Sequence, residues 1–313
     1  MNMKEMTQHD IEAIQEKTRL LQRMTDLILN DILTLYRSGL YIELNPDEKR
    51  WQPASDKIPV WLIWWQGEEA MPDLVKVCYA SLQKALPDEL CEIHLITQEN
   101  LEEYISLPEW VVEKFNAGAI TITHLSDILR MALLDNYSGL YLDATYLFTE
   151  KIEPSSFIDT SFFTLCDRDR DWKDLVQGRW SGNFFYLRPD TYGGTSDVAH
   201  LFVKYMTNAF YYYWASQNKL TDYYLIDYVI DEAYRSFPQV QSLLNSVPDT
   251  NPQVADLIFA LNEKYTPEIF SGFTRDTSVF KLSNRIPLSE KTESGGPTIF
   301  GYLLENKKGL CQG

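Results

Sequence analysis

The sequence has few cysteines and few histidines. Its 313 residues include four histidines and four cysteines, Cys78, Cys91, Cys166 and Cys311. No two cysteines are close enough in sequence to form a metal knuckle, and the scattered histidines argue against a histidine-based metal site. We therefore expect buried thiols in a protein of a reducing compartment.

Long apolar runs and an excess of positive charge are also missing. The longest apolar run, Ile58 to Trp65, has eight residues and is too short to cross a bilayer. The net charge of -17 argues against nucleic acid as a partner and against broad contact with anionic membranes. The polar start of the chain does not resemble a signal peptide. We expect a cytoplasmic protein without a transmembrane segment, either free or peripheral to the inner face of the membrane.

Aromatic residues are abundant, at 13% of the chain, with 8 Trp and 19 Tyr. Proteins that handle saccharides often place such rings against sugars, although most of these rings are expected to fill the core. The acidic composition still allows one nucleotide in a pocket, because a pocket needs only local donors or a cation. The length allows one large α/β domain or two smaller ones.

The first part of the chain predicts a long helix. Between residues 8 and 37, apolar residues recur at three- and four-residue spacings, and Ser38-Gly39 ends the pattern. A polar segment with two prolines follows at residues 45–57, and we place a boundary there. This predicts an N-terminal helical extension at 1–50 and a main domain at 51–313. The helix either packs on that domain, forms an interface of a homo-oligomer or belongs to a module that binds a second substrate, the acceptor.

The main domain alternates apolar strands with amphipathic helices, which predicts an α/β fold with a mostly parallel sheet flanked by helices and a C-terminal helical region. The tail from Asn251 is hard to interpret, but it carries Lys281 and Arg285 as candidate phosphate partners. The predicted strands cover residues 58–67, 91–97, 140–142, 161–166 and 182–189, and the predicted helices cover 72–85, 101–105, 108–115, 121–136, 196–214 and 222–235.

Two strands of this pattern end on residues suited to ligand binding. The first ends in Trp64-Trp65-Gln66-Gly67, where a Trp could stack on a nucleobase and Gly67 would let the backbone approach a ligand. A later strand ends at Asp143. Because ligands of open α/β sheets bind at the carboxyl ends of strands, we expect both segments to face one crevice.

A helix precedes the strand that ends at Asp143, and it carries Asp127 and Arg130 three residues apart on one face. One interpretation is a surface ion pair of little energetic weight. The other brings Asp127, Arg130 and Asp143 together over the same crevice.

These segments together resemble a known family. Trp64 to Gly67, Ser-Asp-x-x-Arg at residues 126–130, a Gly turn and Tyr-Leu-Asp-Ala-Thr at 141–145 resemble the capsular polysaccharide synthesis glycosyltransferases. These are similar to retaining sugar transferases with the pattern Ser-Asp-x-x-Arg, a spacer, then Gly-Gly-x-Tyr-x-Asp-x-Asp. The resemblance implies a GT-A fold, a nucleotide-sugar donor such as a UDP-sugar, and a saccharide or lipid-linked glycan acceptor.

The resemblance also implies roles for individual residues. Asp127 and Arg130 would hold hydroxyls of the donor, Asp143 would begin the metal motif, and Asn183 would lie on the donor side. The segment from Trp64 to Gly67, including Gln66, would pack on the nucleotide. Mn²⁺ or Mg²⁺ would then neutralise the diphosphate leaving group.

The sequence departs from the family pattern at two positions. Ser138 stands where the first glycine of the Gly-Gly pair is expected. Thr145 stands where the second Asp is expected, and a hydroxyl is a poorer ligand for a hard cation than a carboxylate. Three outcomes stay open: a low metal affinity, a metal ion held by Asp143 alone with diphosphate oxygens and water, or a contribution from another carboxylate. Asp167 and Asp169 are the first candidates for that carboxylate, although their Asp-rich segment lacks the Gly and Glu of a calcium-binding loop.

Two other functions are consistent with parts of this pattern. A non-catalytic relative of the same fold would bind a glycan or a nucleotide without transfer, and Thr145 is the residue that suggests it. A glycoside hydrolase would need two carboxylates on either side of the scissile bond, and no such pair stands out in the sequence.

Overall fold

A computed structural model describes residues 8–38, 56–152, 157–168, 174–189 and 197–306. The predicted linker up to residue 55, the domain boundary at 50, Asp169 and Cys311 lie outside these ranges. The helices are α1 (Gln8–Arg37), α2 (Asp73–Ala85), α3 (Leu101–Tyr104), α4 (Glu109–Asn116), α5 (Ile122–Tyr137), α6 (Asp197–Ser216), α7 (Leu225–Ser236), α8 (Pro238–Asn245), α9 (Leu257–Ala260), α10 (Pro267–Thr274) and α11 (Ile299–Glu305), with a short 3₁₀ helix at Glu68–Ala70. The strands are β1 (Ile58–Ile63), β2 (Cys91–Ile96), β3 (Gly139–Leu142), β4 (Tyr146–Phe148), β5 (Phe162–Thr164), β6 (Phe184–Leu187) and β7 (Val279–Lys281).

Five strands form the central sheet, in the order β2-β1-β3-β6-β5. Strand β1 pairs in parallel with β2 and β3, whereas β6 runs antiparallel to β3 and β5. Four strands therefore run in one direction and one is reversed. All six residues of β1 are buried, which explains their continuous apolar sequence. The predicted α/β, Rossmann-like fold with a mostly parallel sheet flanked by helices is confirmed.

The turn into β3 needs unusual backbone conformations. Ser138 has φ 57° and Gly139 has φ 95°, both in the region that favours glycine. A Cβ atom at Gly139 would lie 2.2 Å from the carbonyl oxygen of Pro59 on β1. The close pairing of β3 with β1 thus requires glycine at position 139. It also explains why a Gly-Gly pair suits this turn better than Ser138-Gly139.

A second, two-stranded sheet joins β4 to β7 in antiparallel register, with Tyr146 opposite Lys281. The Asn251 side chain accepts hydrogen bonds from the backbone N–H groups of Ser278 and Val279, and so fixes the start of β7. Neither strand was predicted from the sequence. This sheet brings the C-terminal part of the chain to the end of β3.

Helix α1 packs against α6 and α7. Its inner face buries Leu29, Ile32 and Leu33, and its Asp26 carboxylate lies 2.8 Å from the guanidinium of Arg235 on α7. Of the alternatives for this helix, packing on the main domain is the one that the structure shows. Within the described residues, no helix combines the length and the apolar character needed to cross a membrane.

The predicted elements are all present, with ends that differ by at most four residues. Helix α7 begins at Leu225 rather than at the predicted Asp222. The Asp222 carboxylate instead accepts a hydrogen bond from the Tyr228 hydroxyl at 3.0 Å. Cys78, Cys91 and Cys166 are buried free thiols, as predicted.

Candidate functional site

A cleft of about 530 Å³ opens at the carboxyl ends of β1 and β3, where the sequence predicted a crevice. Four parts of the chain form most of its walls: the end of β1, helix α5, the end of β3, and the end of β7 with the loop that follows it. The lining residues are Ile63, Trp64, Trp65, Gln66, Ala70, Ile122, Thr123, Ser126, Arg130, Tyr141, Asp143, Ala144, Thr145, Tyr223, Lys281, Leu282, Ser283, Asn284 and Arg285.

The segment after β1 supplies the aromatic wall of the cleft. Trp64, Trp65 and Gln66 line it directly, and Gly67 follows at the start of the 3₁₀ helix with φ 83°. The Trp65 ring packs edge-to-face against Phe115, with the ring centroids 5.5 Å apart. Backbone hydrogen bonds to the end of β2 and the residues after it hold the backbone that carries both Trp side chains.

Asp127 and Arg130 form a buried ion pair. Their side chains are both 5% exposed, and the Arg130 guanidinium lies 2.9 Å from the Asp127 carboxylate. The alternative of a surface pair is therefore wrong, because both side chains are buried. Arg130 also donates to the carbonyl oxygens of Gly182 and Ser126. Arg130 lines the cleft and Asp127 lies behind it.

Burial dominates the electrostatics of Asp127. It raises the pKa of this carboxyl to about 7, although the Arg130 guanidinium lowers it. A carboxylate in this position is stable only while Arg130 stays beside it. Asp127 thus holds the guanidinium that faces the cleft, and its own side chain is not among those that line it.

Asp143 lies at the end of β3 between two cations. Its carboxylate is 3.5 Å from the Arg130 guanidinium and 3.2 Å from the Lys281 ammonium. The Tyr141 hydroxyl donates to it at 3.0 Å. Burial opposes the ionisation of Asp143, but Lys281 and Arg130 outweigh it and lower its pKa. Helix α5 and strand β3 thus bring Asp127, Arg130 and Asp143 together as the sequence predicted.

Thr145, the expected second metal ligand, contacts the same ammonium. The Lys281 Nζ donates to the Thr145 hydroxyl at 2.5 Å. Within the described ranges, no group of three or more His, Cys, Asp or Glu side chains is arranged to hold a metal ion. Asp143 is the one carboxylate among the residues that line the cleft. The residues present therefore do not fit a divalent cation at Asp143 and Thr145.

Asn183 lies on the far side of this cluster. Its backbone carbonyl accepts from the N–H of Asp143 at 3.1 Å, and its side chain accepts from the hydroxyls of Tyr146 and Ser181. The residue lines a second cavity of about 210 Å³ together with Asp167, and Lys281 borders both cavities. Asn183 and Asp167 are thus next to the main cleft without lining it.

The charge of the cleft is opposite to that of the whole chain. Its lining includes three cationic side chains and one carboxylate, whereas the chain has a net charge of -17. Arg285, the third cation, lies 3.3 Å from the Thr123 hydroxyl and 5.4 Å from the centre of the Tyr223 ring. The local excess of positive charge suits a ligand with a multiply charged anionic group.

Sequence reasoning underestimated Lys281 and did not place Tyr141 or Tyr223 in the site. Lys281 reaches the cleft through β7, a strand of three residues that is too short to produce a recognisable alternating pattern. Its contact with Thr145 joins residues 136 positions apart in the chain. One signal in the sequence did point to Lys281: it is a cationic residue of a very acidic chain, in a C-terminal segment without a clear helix or strand pattern.

Comparison with protein families identifies a family that the chain matches. The model of a family described as "Capsular polysaccharide synthesis protein" matches residues 9–303, which is nearly the whole chain. No curated protein shows significant similarity to the chain. The match includes every residue of the cleft.

Proposed function

The chain belongs to the capsular polysaccharide synthesis protein family, and on this premise we propose that it is a glycosyltransferase. It moves a sugar from a nucleoside-diphosphate donor to a saccharide acceptor, either free or lipid-linked. One observation supports this most strongly: a cleft at the carboxyl ends of two parallel strands combines two Trp side chains with a cationic floor on an acidic chain. Aromatic rings suit a base or a sugar, and the cations suit a diphosphate.

In this proposal the donor lies along the cleft with its two ends in different environments. The base packs on Trp64 or Trp65 at the end of β1. The diphosphate lies over Lys281 and Arg285, whose charges attract its oxygens. The sugar is then next to Asp143, whose carboxylate retains lone pairs for sugar hydroxyls after its contacts with Arg130 and Lys281.

The transfer step is a substitution at the anomeric carbon of the donor sugar. The bond from this carbon to the β-phosphate oxygen breaks, and its electron pair remains on that oxygen. A bond forms between the anomeric carbon and an acceptor hydroxyl oxygen, and the hydroxyl proton passes to the departing diphosphate. The cations of the cleft stabilise the charge that develops on the leaving group. Retention of configuration is the outcome that the resemblance implies.

The direct test is isothermal titration calorimetry with UDP, GDP and a panel of UDP-sugars. Binding is expected in the cleft, and Trp64→Ala and Trp65→Ala test the aromatic wall. Stacking of a base on an aromatic ring contributes about 1–3 kcal/mol, so replacement of the Trp that stacks on the base should lower the affinity about 5- to 150-fold. Trp110→Ala is the matched control, because Trp110 packs on Tyr211 and does not line the cleft.

The alternatives predict different results. A non-catalytic relative would bind a nucleotide or a nucleotide sugar but release no nucleoside diphosphate in the presence of acceptors. A hydrolase would cleave a glycan without any nucleotide. Absence of binding by every nucleotide, together with unchanged behaviour of Asp143→Ala, would refute the proposed transferase.

A further inference from the structure

The side chain of Lys281 lies between the two positions where the family pattern has its metal ligands. Its Nζ is 3.2 Å from the Asp143 carboxylate and 2.5 Å from the Thr145 hydroxyl. A longer contact of 3.4 Å joins it to the backbone carbonyl of Leu282. An ammonium has three N–H donors, and these three acceptors match them. The place between residues 143 and 145 is thus taken by a positive charge that belongs to the chain.

Backbone pairing fixes this position. Lys281 is the last residue of β7, and the register of the small sheet sets it opposite Tyr146, next to Thr145. The N–H of Leu282 donates to the Thr145 carbonyl at 2.9 Å, and the N–H of Lys281 donates to the Val254 carbonyl at 2.7 Å. The ammonium also lies 5.6 Å from the centre of the Tyr146 ring. Lys281 is therefore held by backbone hydrogen bonds on both sides of its Cα.

The charges around this position disfavour a divalent cation. Asp143 is already paired with Arg130 and Lys281, and Arg285 also lines the cleft. The protein offers a metal ion here one carboxylate, which two cations already share, and at position 145 a hydroxyl that already accepts from Lys281. The metal ion would also be repelled by the neighbouring ammonium at short range.

We propose that the Lys281 ammonium replaces the divalent cation of the family pattern, so that the diphosphate binds and leaves without a metal ion. This inference rests on the proposed transferase function. When the bond to the anomeric carbon breaks, Lys281 donates a hydrogen bond to the β-phosphate oxygen that receives the electron pair. The N–H that faces the Leu282 carbonyl has the longest contact and is the one that turns to the phosphate. Lys281 remains protonated, because the acceptor's hydroxyl proton passes to the diphosphate.

The test compares nucleotide binding with and without metal. Wild-type protein is titrated with UDP and with GDP by calorimetry, once in EDTA and once in excess Mn²⁺. We expect the dissociation constant of the nucleotide that binds to differ by less than about threefold between the two conditions. Electron paramagnetic resonance of Mn²⁺ gives a second readout. We expect the Mn²⁺ spectrum in the presence of wild-type protein and nucleotide to be the same as the spectrum of Mn²⁺ with nucleotide alone.

Substitutions at two positions complete the test. Lys281→Met should weaken nucleotide binding in EDTA by about 10- to 100-fold, since a hydrogen bond between charged groups is lost. Lys264→Met, which removes an exposed lysine that does not line the cleft, should leave binding unchanged. The double variant Thr145→Asp/Lys281→Ala adds a second carboxylate beside that of Asp143 and removes the ammonium. It should bind nucleotide more tightly in Mn²⁺ than in EDTA and alter the Mn²⁺ spectrum.

The outcomes separate this inference from the proposed function. Wild-type binding that requires Mn²⁺ overturns the inference and leaves the transferase proposal intact. Binding of neither nucleotide in either condition refutes the transferase proposal, and the inference fails with it. The comparison of EDTA with Mn²⁺ uses wild-type protein, so it decides the question even if a variant does not fold. Unchanged affinity of folded Lys281→Met in EDTA also overturns the inference.

Discussion

Replacement of Arg130 by methionine tests whether the buried ion pair stabilises both the fold and the cleft. Arg130 and Asp127 are each 5% exposed and lie 2.9 Å apart. Removal of one partner from such a pair costs about 3–5 kcal/mol, because the other charge remains buried without compensation. We expect Arg130→Met near the lower end of this range, since the pKa of Asp127 is already about 7 and the carboxyl can take up a proton instead.

Urea denaturation at pH 7.5 measures this effect in four proteins: wild type, Arg130→Met, Asp127→Asn and the double variant. The double variant should lose less stability than Arg130→Met, because it leaves no carboxylate at position 127 without a partner. Arg19→Met is the matched control. Arg19 pairs with Glu16 at the same spacing of three residues, but their side chains are 64% and 75% exposed, so the change should cost about 1 kcal/mol or less.

Nucleotide binding separates the two roles of Arg130. The double variant should be more stable than Arg130→Met but should bind nucleotide no more tightly, since the guanidinium that lines the cleft is still missing. The reasoning is refuted if Arg130→Met costs no more than Arg19→Met. It is also refuted if the double variant is no more stable than Arg130→Met.

Three further predictions concern the backbone, the pH dependence and the thiols. Ser138→Gly should raise stability by about 1 kcal/mol and Gly139→Ala should lower it by several, measured by thermal denaturation, because both positions have positive φ and a Cβ at position 139 meets a carbonyl oxygen. Burial raises the pKa of Asp227 to about 7, so this carboxyl binds its proton more tightly in the folded than in the unfolded protein. Its contribution to stability is complete below the unfolded pKa of about 4 and is lost as the pH rises to about 7. In urea denaturation between pH 4.5 and 8, Asp227→Asn should therefore lose less stability with rising pH than wild type. Identical pH profiles of the two proteins would contradict this prediction. In Cys311→Ser protein, the three buried thiols should react with a thiol reagent only after unfolding, since burial raises the pKa of each to about 11 or 12.

The sequence was sufficient to predict the central sheet because its strands are strongly apolar or end at clear turns. Strand β1 is a continuous buried run, and the spacing from Asp127 to Arg130 and on to Asp143 specifies one helix and one strand end. The prediction that these three side chains meet is confirmed by their distances. The roles proposed for them in donor binding remain predictions.

Other parts of the site depend on contacts that leave little trace in a sequence. Strands β4 and β7 have three residues each, and their pairing depends on a register between distant segments. The burial of Asp127 could not be predicted either, because a helical spacing of three residues is common to surface and core pairs. The location of Asn183 beside a second cavity follows from the antiparallel pairing of β6 with β3.

The central claim is that this cleft transfers a sugar from a nucleoside-diphosphate donor. The most direct measurement is the release of nucleoside diphosphate from a panel of UDP-sugars and GDP-sugars, with oligosaccharide acceptors, by wild type and by Asp143→Asn. The account predicts release from at least one donor by wild type and a loss of at least about 100-fold in Asp143→Asn, because the substitution removes the charge that holds Lys281 and Arg130 in place. Equal release by the two proteins, or no release from any donor by wild type, would contradict it.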